Sequence, residues 1–122
     1  MIHEEWIKLT PIKKIIVIAK LCGWTNCDED AYDPWNDPIA AGSPSNGNGN
    51  ARIPIPDFLN DLNSIHKIIL EMPKYLRHRY VNNLSIICGD QMLEDFDREW
   101  CLLTATAAQL AEAFCKTKME NI

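Results

Sequence analysis

The stretch Ala51–Met72, ARIPIPDFLNDLNSIHKIILEM, constrains the fold more than any other. Pro54 and Pro56 fix their own φ and drive Ile53 and Ile55 toward extended backbone. A helix follows directly. Asn60 is placed to cap it, and Asp61 would be its first residue, where a carboxylate suits the positive end of the dipole. Leu62, Ile65, Ile68, Ile69 and Met72 recur at helical spacing and define one face to bury. The segment predicts an extended step feeding an amphipathic helix over 61–72. It names no chemistry.

Helices flank this segment on both sides. Thr10-Pro11 is an N-cap followed by proline at the first helical position. Ile12, Ile15, Ile16, Ala19 and Cys22 then form an apolar face, and Gly23 ends a helix running about 11–22. After Pro73 a third helical segment is predicted to about Tyr80. Tyr75, Leu76 and Tyr80 pack inward, and Lys74, Arg77, His78 and Arg79 point outward. Leu84–Cys88 (LSIIC) reads as a short strand closed by Gly89-Asp90. Trp100–Leu103 fits either a paired strand or an extension of the last helix. Thr104 is the predicted cap of that helix, about 105–118, with Ala107, Ala108, Leu110, Ala111, Phe114 and Cys115 inward.

Trp24–Asn50 reads as a long loop, with four Asp, one Glu, three Pro and three Gly in the stretch. Loops of this length in a compact domain are functional or disordered. Tyr32, Pro34, Trp35 and Pro38 can pin 31–39 to the body. Gly42–Asn50 is low-complexity and has nothing to bury.

At 122 residues with 47% hydrophobic content, one domain spanning 1–122 with a single core is expected. The net charge of −5 argues against direct nucleic-acid binding through phosphates, which calls for a basic stripe. The five cysteines are odd in number and irregularly spaced. With no secretory signal pattern at the N-terminus, they read as reduced thiols in a cytosol. No apolar run approaches the ~20 residues of a membrane span.

Several constellations bear on chemistry. Cys22 and Cys27 form one loose pair, whereas structural zinc takes two close pairs. Asp28, Glu29, Asp30, Asp33 and Asp37 lack the Gly and closing Glu of a calcium loop. No Ser-His-Asp set, phosphate-binding glycine loop or HExxH helix is present. No cofactor, metal or catalytic residue is therefore expected. Trp24, Tyr32 and Trp35 with Arg52 are the most suggestive group, because bases stack on aromatics and arginine forks onto phosphate. The plainer reading, favoured on general grounds, is that Trp24 and Trp35 fasten the loop to the core. Lys74, Arg77, His78 and Arg79 form a basic patch, either solvated or an anion contact.

Three stretches carry a family resemblance: Leu21-Cys22-Gly23-Trp24, Pro54 through Asn63 (PIPDFLNDLN) and Thr104 through Phe114 (TATAAQLAEAF). Together they resemble small uncharacterised proteins of tailed phages and prophages related to the phage ABA-sandwich domain family. The resemblance implies a helix, antiparallel sheet, helix arrangement, with several strands between the second and last helices. It transfers no functional residue.

The fold expected is α+β and α-rich: three main helices packed about a small antiparallel sheet or hairpin. The function expected is that of a phage-encoded, non-enzymatic accessory protein in the cytoplasm of the infected bacterial host. Its leading role is to bind and block a host defence protein, in the manner of an anti-CRISPR inhibitor. One alternative is a sponge for a nucleotide-derived immune signal; another is a structural or replication accessory. Binding candidates are Tyr32, Trp35, Arg52, Arg77 and Arg79. Acidic partner contacts are Asp28, Glu29, Asp30, Glu94 and Asp95. A homo-oligomer is possible, and no membrane partner is expected.

Overall fold

The computed structural model describes residues 3–32, 35, 38–44, 52–88 and 103–120. Among them the fold is α+β and helix-rich. Its elements run α1 (His3–Ile7), α2 (Pro11–Leu21), β1 (Thr25–Tyr32), β2 (Pro38–Ser43), β3 (Ile53–Pro54), α3 (Leu62–Leu70), α4 (Lys74–Ile87) and α5 (Ala107–Glu120). The strands form one antiparallel sheet in the order β1-β2-β3. α2 packs on β1 and β2, while α5 packs against α2, α3 and α4.

α2 begins and ends as its sequence dictates. The Thr10 hydroxyl accepts from the Lys13 N–H at 3.3 Å, and Pro11 follows at the first position. At the other end Gly23 takes φ 93°, a conformation that favours glycine. The Gly23 N–H then donates to the Lys20 carbonyl, and the Trp24 N–H to that of Ala19, both at 3.0 Å. This pair of bonds satisfies two of the orphan carbonyls of the last turn. It also turns the chain directly into β1, with Trp24 packed against the core.

The stretch 24–50 departs from expectation. Much of it is a β-hairpin rather than a loop. Register runs Thr25↔Ser43, Asp28↔Ala41, Ala31↔Ile39 and Tyr32↔Pro38, so β1 carries an extra residue on each side of Asp28. Each is a bulge, and Asn26 at φ 52° lies within the first. The inner strand is built from small residues: Ala40, Ala41 and Ser43 are buried. At Gly42 a Cβ would lie 3.1 Å from Cys27 Sγ and 3.2 Å from the Thr25 carbonyl oxygen, so a larger residue would press on β1 and require it to give by a few tenths of an ångström. Residues 45–50 of the low-complexity stretch lie outside the described residues.

Further corrections concern helix ends and the second strand candidate. α3 is capped by Asp61, not Asn60. The Asp61 carboxylate accepts from the Asn63 N–H at 3.0 Å and the Ser64 hydroxyl at 2.8 Å. Asn60 donates its own amide to Asp57 instead, at 3.0 Å. Leu62 is half exposed and outside the packed face, whose fully buried member is Ile65.

Leu84–Cys88 is not a strand. α4 runs through Ile87, because Leu76, Tyr80 and Leu84, spaced by four, form one buried stripe. Tertiary packing of that stripe overrides the β preference of LSIIC. Tyr75 points outward rather than inward. Among the described residues the sheet thus lies before α3, not between α3 and the last helix. α5 is capped by Thr106, not Thr104: Thr106 Oγ1 accepts from the Gln109 N–H, and Gln109 Oε1 accepts from the Thr106 N–H at 2.9 Å. Ala108 faces outward, while Ala107, Leu110, Ala111, Ala113 and Phe114 are buried. Of Trp100–Leu103, only exposed Leu103 is described.

Candidate functional site: the acidic hairpin and the basic corner

The hairpin presents its aromatics to solvent. Tyr32, at the end of β1, is 62% exposed, and Trp35, in the turn, is 81% exposed. Neither pins this stretch to the core. Trp24 alone of the loop aromatics does so.

Arg52 does not join them. Its guanidinium reaches past β2 to the Asp28 carboxylate at 3.2 Å. Asp28 and Tyr32 are four residues apart on β1 with a bulge between them, and they face Ala41 and Pro38 of β2, about 10 Å apart at the usual rise. The aromatic pair and the arginine are therefore separate features, and the cation is neutralised by an acid on β1. Glu29 is exposed on the same strand, and Asp30 belongs to it. Glu94 and Asp95 lie outside the described residues.

Arg77 and Arg79 sit on α4 and serve different neighbours. Arg77 Nε donates to the Met72 carbonyl at 3.3 Å, tying α4 to the end of α3. Arg79 Nε lies 3.9 Å from Glu120 on α5, an exposed pair that adds little stability. His78 shares a 3.4 Å contact with the Asn82 amide one turn on.

Two adjoining clefts meet at Cys22. One, about 330 Å³, lies between Trp24, Pro56, Phe58 and α3, with Lys67 and Glu71 at its edge. The other, about 180 Å³, lies between the end of α2, α3 and α5, near Phe114 and Lys118. Burial pushes the Cys22 thiol up to about 11, with Lys118 lowering it and Glu71 raising it. A thiol so raised is protonated at neutral pH and is a poor nucleophile. Burial raises Cys115 to about 11 as well. Among the described residues, no group of three or more His, Cys, Asp or Glu side chains is placed to hold a metal ion. Among them, no helix is long and apolar enough to cross a membrane.

A third groove, about 310 Å³, lies where α3 meets α4. It is lined by Ile69, Leu70, Met72, Arg77, Tyr80 and Val81. Leu70 is 77% exposed at its edge, and Tyr75 is 72% exposed nearby in sequence on α4. Leu70 escaped sequence reasoning, although a signal existed. Ile65, Ile68, Ile69 and Met72 already supply one face of α3, so Leu70 is a surplus apolar residue on a half-buried helix.

Comparisons with protein-family models, with curated proteins and with solved structures gave no match.

Proposed function

We propose that this chain is a non-enzymatic accessory protein that acts by docking its β1–β2 hairpin on another protein. One observation carries the reading: Tyr32 and Trp35 stand 62% and 81% exposed on the most acidic stretch of the fold. Exposed aromatics are the commonest anchors of protein interfaces, and surrounding acids steer them toward a basic surface. A nucleic-acid channel on a defence protein is such a surface. With the phage resemblance, this gives a phage-encoded inhibitor of a host defence protein.

The sponge reading has less support. It needs Tyr32, Trp35 and Arg52 around one anion, and Arg52 is paired with Asp28 at 3.2 Å. Native mass spectrometry separates the two. The purified protein is incubated with bacterial lysate, either whole or filtered to small molecules. Docking predicts a protein-sized adduct from whole lysate alone. An adduct of small-molecule mass from the filtrate, released intact on denaturation, overturns docking in favour of sequestration.

A further inference from the structure

The α3–α4 corner carries charge of the opposite sign to the hairpin. α4, Lys74–Ile87, holds the cations Lys74, Arg77 and Arg79 and no acidic residue, in a chain of net charge −5; Glu71 precedes it and Glu120 lies 3.9 Å from Arg79, which leaves Lys74 and Arg77 as the excess. Two of these cations fall in its first turn, where the macrodipole is already positive and a cation is unfavourable. The N-cap is Pro73, with no side-chain hydrogen bond to the first N–H groups. Beside this positive end lies the groove of about 310 Å³ with Leu70 and Val81 in its lining. Leu70 and Val81 are 77% and 40% exposed. A helix start with added cations beside an open apolar groove suits an occupant that is acidic and aromatic.

The chain itself supplies one. Residues 25–43 contain five acids and no Lys or Arg. Tyr32 and Trp35 are the exposed aromatics of that segment. We propose that the hairpin of one copy docks in the α3–α4 groove of a second copy, Trp35 against Leu70 and Val81, Glu29 toward Lys74 and the start of α4. This rests on the reading of the hairpin as a protein-docking element. The contact joins two different surfaces, so it closes as a reciprocal pair or ring, or extends as a chain. Copies held this way keep the hairpin covered until a tighter partner displaces it.

The test is sedimentation equilibrium of the full chain over a concentration and salt series. Wild type is expected to exceed the monomer mass at low salt and to dissociate as salt rises. Trp35→Ala and Leu70→Glu alter exposed side chains, and circular dichroism checks that each still folds. Each variant alone should associate at least about tenfold more weakly. An equimolar mixture restores one intact contact, hairpin from Leu70→Glu and groove from Trp35→Ala, and should associate more tightly than either variant. Lys74→Glu, away from the groove wall, should weaken association in the same direction.

A wild type that stays monomeric throughout overturns the proposal and leaves the groove to a different acidic partner. A mixture no tighter than its components also overturns it. Neither result bears on docking to a host protein, which is read separately from the mass of the lysate adduct.

Discussion

The Arg52 guanidinium on the approach to β3 and the Asp28 carboxylate on β1 lie 3.2 Å apart across the strand between them. The pair decides how the hairpin is read, because it takes the cation out of the aromatic site. Its side chains are 52% and 32% exposed, so its contribution to stability is small. Arg52→Ala should shift the urea midpoint by no more than about 1 kcal/mol equivalent, and less at high salt. It should leave partner capture intact. Loss of capture with folding preserved would return Arg52 to the binding site.

The α4–α5 contact contains a buried polar link. The Asn83 amide donates to Thr117 Oγ1 at 3.0 Å, and that hydroxyl donates to the Ala113 carbonyl at 2.8 Å. Thr117→Val leaves the Asn83 amide without this acceptor in the core and should cost about 1–3 kcal/mol by chemical denaturation. Adding Asn83→Leu should cost less in that background than alone. Simple additivity would show that the two side chains act separately.

Asp61 is the acid-sensitive cap. The Ser64 hydroxyl above all, helped by the Asn63 and Ser64 N–H groups, holds its carboxyl below the usual 3.8, although desolvation opposes it more strongly than either N–H group lowers it. A depressed folded pKa contributes stability that is complete above 3.8 and lost as pH falls through the lower folded value. Asp61→Asn keeps a good capping residue but removes the titration. The variant should therefore lose less stability than wild type between pH 5 and pH 2. Equal losses would place the acid sensitivity elsewhere.

Cys22 should be a slow thiol. With its pKa raised to about 11 by burial, little thiolate exists at pH 8. Alkylation by iodoacetamide, followed peptide by peptide, should run at least about tenfold slower than in the urea-unfolded chain. Its rate should still be rising above pH 9. A native rate equal to the unfolded one would mean that the clefts around Cys22 open freely.

What the sequence disclosed depended on how local its cause was. Thr10, Pro11 and Gly23 act on their own neighbours, and α2 lies within one residue of its expected span. The hairpin was hidden because its strands are made by fit rather than propensity. Ala40, Ala41, Gly42 and Ser43 are poor strand residues, yet their small size lets β2 lie close to β1. The Leu76–Tyr80–Leu84 stripe has helical spacing, but the Ile86-Ile87 pair within LSIIC carries a competing β preference. Among the site residues, exposure of Tyr32 and Trp35 and the pairing of Arg52 with Asp28 depend on strand register. Two bulges set that register, and no local pattern announces them.

The most direct measurement compares wild type and Trp35→Ala for capture of a protein partner from host lysate, with melting temperature measured in parallel. At 81% exposure, Trp35 can be truncated with little effect on the fold. The account predicts an unchanged melting temperature and at least about a tenfold loss of captured partner, the signature of an aromatic anchor. Undiminished capture by the folded variant would contradict it and move the binding surface away from the hairpin.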